Sequence, residues 1–561
     1  MTPLPTRPYA PSMRLRCRPV LWFALAAILA VGTPHSAHAS TLPYIPLDHW
    51  VTPFITEAIG RGILPGLSLA DRPYGRDAVA RALRAERSLA DSTQRDYTQF
   101  EGWLIDRIEN EIDPAAPQPP AAFSKLTGDA SLGFGLEARA EAETGEDQRR
   151  FGRDDVKGIA LPYVGFTSGR GLAGGLRFRV DTDGGQVPNF NGRPWRHGWT
   201  GDERNAYLLV QLGAADVLLG RDDLRWGASE KSTLLLSSYA PPFDQIGLRV
   251  HVGSVTASSF FSSLDAMTLD APVVEAPGDT LPAGTKVLRH ISGHRIRWQV
   301  SRTVALGIAE TVVYGGKDRG LEAEYTIPVS IYYAGQWNKG KNDNALLSFT
   351  GELRPIPSME LYGELMVDDV QFEHKSAADK EPFEGGFLLG QRFYNPFGLD
   401  GGLLRVEWAK VQPFTYNQVL PWNRYVYRDQ PIGFDLGSDA QAIEVEFRHW
   451  ASEKITWSMG YRLEERGETR LTDPWPVPIT GPDSLNSFPE FDHVPTGTVE
   501  RRNRISTELW MHPRPGIDLR LGGGYIDVKN LENVKGDRRV EWFFQGSLRL
   551  NWSSWLRPGE D

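Results

Sequence analysis

The stretch RRVEWFFQGSLRLNW, residues 538–552, decides the fold. Every second residue gives Val540, Trp542, Phe544, Gly546, Leu548, Leu550 and Trp552, while Glu541, Phe543, Gln545, Ser547, Arg549 and Asn551 fall between them. A period of two marks a strand whose two faces meet different surroundings. In a soluble sandwich the apolar face lies on a second sheet; in a transmembrane barrel it faces lipid, with aromatics near both interfaces. The segment by itself fits either.

The start of the chain supplies context. Arg14, Arg16 and Arg18 precede the apolar run VLWFALAAILAV, and Ala37-His38-Ala39 offers small residues where a signal peptidase reads them. Residues 1–39 are therefore expected to be a secretory signal, its apolar core too short to span a bilayer. Cys17, the only cysteine, lies within it, so the exported part has neither a disulfide nor a Cys-based metal site, and no cofactor is implied. A net charge of −10 without clustered Lys and Arg argues against nucleic acid as a partner.

From 40 to 113 the period is helical: Val51, Phe54, Ile55, Ala58 and Ile59 share one face, then Val79, Ala82 and Leu83, then Phe100, Leu104, Ile108 and Ile112. This predicts a small helical domain of three helices, placed in the periplasm by the barrel reading. A Pro-rich linker follows at 114–123, and from 124 to 561 the period is two. ASLGFGLEARAEA sets Leu132, Phe134 and Leu136 against Glu137, Arg139 and Glu141, as a lipid face and a wet lumen require. Eighteen such segments can be placed between 130 and 552, an even number.

Their connections alternate. GRG, GA, RPIPS and HPRPG are short, whereas 183–202, 223–244, 265–289, 315–343, 413–439 and 468–499 are long. A bacterial barrel has short turns inside and long loops outside, and a sandwich has no reason to sort loops by parity. The expected fold is mainly β: an antiparallel transmembrane barrel of about eighteen strands with an N-terminal helical domain, closed by the 538–552 strand in the outer membrane.

The tract LLGRDDLRWGASEKSTLLLSSYAPPFDQIGLRV, the later NALLSFTGELRPIPSMELYGELMVDDVQF and the helical region ahead of the barrel together resemble the Wzi capsule-assembly family. The sharpest part runs from Gly220-Arg221-Asp222 through Arg225-Trp226-Gly227 to Pro241-Pro242-Phe243-Asp244. The resemblance implies a barrel largely closed to diffusion, with a periplasmic helical bundle, that holds capsular or extracellular polysaccharide as a surface lectin. It also implies an export or polymer-assembly partner.

Sugar sites stack a pyranose on an aromatic ring and bind its hydroxyls with planar polar groups. Three loops expected to be exposed carry that mixture: Trp195, Arg196 and Trp199; Trp422, Asn423, Arg424, Tyr425 and Tyr427; and Trp475. The same rings could instead pack the loops over the barrel mouth or join the aromatic girdle. Arg221, Asp222, Arg225, Trp226, Pro242 and Asp244 are expected chiefly to pin a loop folded into the lumen, the alternative being recognition of an acidic polymer.

An enzyme is not expected. His251, His290 and His294 are scattered, no G-x-S-x-G or H-E-x-x-H occurs, and the adjacent Asp368 and Asp369 point to opposite faces. The rival reading is a porin or solute channel with a cell-wall-binding N-terminal module, since DHWVTPFITEAIGRGILPG loosely resembles S-layer homology modules. The two readings differ in whether the lumen is open or filled.

Overall fold

A computed structural model describes residues 42–64, 66–112, 131–144, 155–168, 171–182, 193, 195, 199–276, 278–338, 340–369, 383–475, 493–514 and 516–556. The expected signal at 1–39, the linker at 114–123 and the candidate Arg196 lie outside the described residues.

Eighteen strands form one closed antiparallel barrel. In chain order they are β1 (Ser131–Thr144), β2 (Asp155–Ser168), β3 (Leu172–Asp181), β4 (Thr200–Leu212), β5 (Ala215–Asp222), β6 (Phe243–Val252), β7 (Val255–Ser263), β8 (Lys286–Gln299) and β9 (Val304–Gly316). They continue as β10 (Asn344–Ile356), β11 (Met359–Asp369), β12 (Glu384–Tyr394), β13 (Gly402–Val411), β14 (Ala440–Ser452), β15 (Ile455–Arg466), β16 (Glu500–Arg514), β17 (Ile517–Lys529) and β18 (Arg538–Leu556). Each pairs with its sequence neighbours, and β18 closes the ring on β1 with Leu548 opposite Ala140 and Trp552 opposite Leu136.

The two faces separate as the period requires. Outward positions such as Leu136, Leu208, Ile246, Leu306, Phe349, Leu389, Trp542 and Phe544 are exposed and apolar. A continuous apolar surface of this extent is not stable in water and marks a membrane-facing wall. Inward positions include Glu137, Arg177, Arg295, Glu360, Arg392, Arg405 and Glu407, all buried. Among the described residues no helix is long and apolar enough to cross a membrane.

Three helices, α1 (Thr52–Gly60), α2 (Arg76–Thr93) and α3 (Gln99–Ile112), form where the helical period predicts them. Their apolar faces pack into the end of the barrel that carries the short turns. Phe54 meets Trp450, Trp510 and His512 at ring-centroid distances of 4.7, 5.5 and 5.4 Å, and Phe100 also meets Trp450. Arg61 donates to Asn395 Oδ1 at 2.8 Å and to the Gly402 carbonyl at 3.0 Å. Gly60 is required by close approach, since a Cβ there would stand 1.8 Å from Tyr394 Oη.

Candidate functional site: a filled lumen and its vestibule

The barrel interior is occupied by its own chain. Ahead of α1, Asp48 accepts from Arg177 at 2.6 Å and from Arg139 at 2.7 Å, both on the inner wall. Beyond α1 the chain reaches further in: Arg295 donates to Asp71 Oδ1 at 2.7 Å and to the Ala70 carbonyl at 2.8 Å. There a short strand, Asp71–Arg72, pairs antiparallel with Arg225–Trp226, which belongs to the long connection between β5 and β6.

That connection, residues 223–242, folds inward. Asp222, Asp223, Arg225 and Trp226 are buried, and Trp226 packs edge-on against Phe260 at 5.6 Å. Glu364, on the inner wall of β11, accepts from the backbone N–H of Leu234 at 2.9 Å and of Leu235 at 3.0 Å. Ser229 donates to Glu407 at 2.9 Å, and Glu230 faces Arg392 at 3.6 Å and Arg448 at 3.3 Å. Burial alone would raise the Glu230 carboxyl, but Arg448, Arg405 and Arg392 outweigh it and hold it down at about 2. Gly220 opens this tract with φ +132, and a Cβ there would lie 2.2 Å from the Ala206 carbonyl oxygen. Residues 220–227 thus lead into a loop inside the barrel, where Ser229, Glu230, Leu234 and Leu235 meet the wall.

The connection between β13 and β14, residues 412–439, folds in beside it. Tyr416 and Tyr425 stack at 5.6 Å; Tyr416 Oη donates to the Leu234 carbonyl at 2.5 Å and Tyr425 Oη to the Leu235 carbonyl at 3.0 Å. Trp422 sits fully buried among Leu269, Leu281, Val287 and Leu420. Arg289 holds its carbonyl at 2.7 Å. Asn423 donates to the Asn342 carbonyl at 2.5 Å, and Tyr427 stacks on Phe243 at 5.4 Å.

The stacking platform expected at Trp422, Asn423, Tyr425 and Tyr427 is therefore not displayed. Each is buried, because inward folding gives the rings an apolar and hydrogen-bonded site better than water. Arg424 is half-buried and donates to Asn417 Oδ1 at 2.9 Å and to the Asp473 carbonyl at 2.6 Å. Trp475 is half-buried against Phe414 at 5.7 Å, and Trp199 is half-buried. Trp195 is exposed but lies on the outer wall, over Phe178 at 6.5 Å and over Gly201, where a Cβ would come within 2.2 Å of the ring. That is a girdle position. Arg221 binds Asp244 with both oxygens, at 2.7 and 2.6 Å, bridging the rims of β5 and β6, and Pro242 is buried.

What remains open is a vestibule at the long-loop end, a cavity of about 270 Å³. Arg466, Arg470, Arg502 and Arg504 line one side, with Asp429, Asp435 and Glu464 among them and Tyr239 and Leu471 as apolar surface. Asp429 and Thr472 at its edge are exposed. Arg470 donates to the Gly467 carbonyl and to Asn533 Oδ1, and Arg504 lies over the Phe543 ring at 4.3 Å, so these two arginines are held in place. Sequence reading missed these residues. They come from four separate stretches, and each looks like an ordinary lumen charge until the loops fold inward. A second space of about 190 Å³ lies along the barrel wall, lined by Arg139, Glu508, Arg520 and Arg549 of β1 and β16–β18 together with Lys157 of β2.

The wide, wet channel of a porin is not present among the described residues. The expected histidines are dispersed too: His290 and His294 are on the outer wall, with His294 3.4 Å from Glu310. Among the described residues no cluster of His, Cys, Asp or Glu could hold a metal.

Comparison with known proteins agrees with this architecture. The fold is similar to that of Wzi from Escherichia coli, described as a carbohydrate-binding β-barrel outer-membrane protein involved in group 1 capsule assembly. The TM-score is 0.57 and the identity 15%, over 90% of this chain and 99% of that one. OccAB1 of Acinetobacter baumannii and OccD3 of Pseudomonas aeruginosa align at TM-scores of 0.44 and 0.43, with 10% and 8% identity. Each covers 78% of this chain, with 99% and 96% of their own, and a likeness that low bears on nothing further. No curated protein sequence matches the chain. Residues 141–541 match the family model described as capsule assembly protein Wzi, and the chain belongs to that family.

Proposed function

We propose that this protein holds capsular or extracellular polysaccharide at the cell surface as a non-catalytic, lectin-like anchor in the outer membrane. The observation that carries this reading is a barrel filled by its own chain, with an arginine-lined vestibule at the long-loop end. Long loops face outward in bacterial barrels, so the vestibule opens to the outside and the α1–α3 domain, 42–112, faces the periplasm. There the domain is available to export or polymer-assembly proteins.

Guanidinium groups bind carboxylates in a bidentate manner and donate to hydroxyls in fixed geometry, which suits an acidic polymer. One sugar in so small a space binds weakly; a repeating polymer over many copies is retained by avidity. Purified protein in liposomes should therefore sediment the strain's own long polysaccharide and not its single repeat unit. The double variant Arg466→Ala, Arg470→Ala should lose that binding while keeping its heat-modifiable mobility on a gel. Equal binding by the folded double variant would remove the vestibule as the site.

A further inference from the structure

We infer that residues 317–338 form a flap on the outside of the barrel that is immersed in the outer leaflet and contacts lipid acyl chains. The connection between β9 and β10 does not rise from the rim. It folds down over the outward faces of β8, β9 and β10 as two short helices, α4 (Ala323–Thr326) and α5 (Tyr332–Asn338).

The register fixes which face is covered. On β9, Thr311 and Val313 point inward, Thr311 reaching Tyr425 Oη at 3.0 Å, so Glu310, Val312 and Tyr314 point outward. They stand opposite the outward residues His294, Ser292 and His290 of β8, and Val312 opposes Ala345 of β10. All except His294 are buried, whereas Leu306 and Ile308, lower on β9, are bare. The cover is Tyr325 and Tyr332, which pack on Val312, Tyr314 and Ala345. Glu310 accepts from the backbone N–H of Tyr332 at 2.8 Å and of Tyr333 at 2.7 Å.

This cover has a physical reason. Histidine, serine and glutamate on a lipid-facing wall cost several kcal/mol in hydrocarbon unless satisfied. The flap supplies partners to Glu310 and to His290, whose Nε2 lies 3.3 Å from the Arg319 carbonyl, and covers Ser292. Its other face then inherits the wall's role: Val329 is 87% exposed and Ile331 67%, with Leu321, Ile327 and Tyr333 also exposed, and IPVSIYY at 327–333 carries no charge. Its charges gather elsewhere, Arg319 on Asp343 and Lys341 on Glu322 and Glu324.

Depth favours lipid as the occupant. Glu310 lies six residues below the strand end at Gly316, or roughly 15 Å for a rise of ~3.3 Å per residue and a tilt of ~40°. That places the contact well inside an apolar band about 25 Å tall. The exposed face of the flap also adjoins the bare wall at Ile296, Ile308 and Phe349.

Single cysteines at Val329, Ile308 and Asp429, each in the full chain and labelled with bimane, separate the possibilities in vesicles of brominated-chain phospholipid. Val329 should be quenched as strongly as the wall position Ile308, and Asp429 should not be. On intact cells an impermeant maleimide should label Asp429 and spare Val329. Quenching absent at Val329, with labelling as fast as at Asp429, would make the flap a water-exposed loop and overturn the inference. Quenching absent with efficient Val329–Val329 crosslinking would overturn it in favour of a second copy of this chain.

Discussion

Leu548 and Arg549 are neighbours in β18 that belong to different solvents. Leu548 pairs with Ala140 on the lipid side, while Arg549 points inward, 3.1 Å from Glu137. Leu548→Arg should cost about 2–4 kcal/mol of barrel stability, measured by urea unfolding in liposomes. Arg549→Leu should cost much less, because Glu137 keeps Arg139 and Arg177 as partners. Equal losses would mean that β18 does not separate lipid from lumen. At this scale the alternation in 538–552 was legible, since a period of two is a local property. The site was not. Trp422 and Tyr425 sit in a sequence that suits a sugar platform, and only contacts with Leu234, Leu235 and Arg289, far away in the chain, make them plug residues.

Among the elements, the strands and the α1–α3 helices follow from periodicity, and the parity of the loop lengths gives the two ends of the barrel. Where a long loop goes is decided by tertiary partners. The 223–242 and 412–439 loops turn inward because wall residues such as Glu364 and Arg289 satisfy their backbone groups. The docking of the N-terminal segment should depend on pH through His49, buried ahead of α1. Burial is the main cause that lowers its imidazole from 6.5 to about 3. A depressed folded pKa gives stability that is complete above 6.5 and is lost as pH falls toward 3. Asp48 adds to the loss only below 3.8: burial would raise it, but Arg177 and Arg139 hold it down. Protection factors of residues 42–60, with the intrinsic pH dependence of exchange divided out, should therefore fall between pH 6.5 and 4 in the native chain, and less so in His49→Gln. Protection that stays flat to pH 4 would contradict the assignment.

For the whole molecule, the architecture is a container filled from both ends, by the helical segment at the short-turn end and by inward loops at the other. In the proposed role such a barrel presents a surface instead of a channel. In that role, polymer retention would depend on many copies, each offering a weak site fixed in a membrane wall. The most direct measurement is the ratio of cell-bound to shed polysaccharide in a strain lacking this protein, complemented with the native chain or with Arg466→Ala, Arg470→Ala. The account predicts that deletion moves polysaccharide into the medium without reducing its total, that the native chain restores the bound fraction, and that the inserted double variant does not. Bound polysaccharide unchanged by deletion would contradict it.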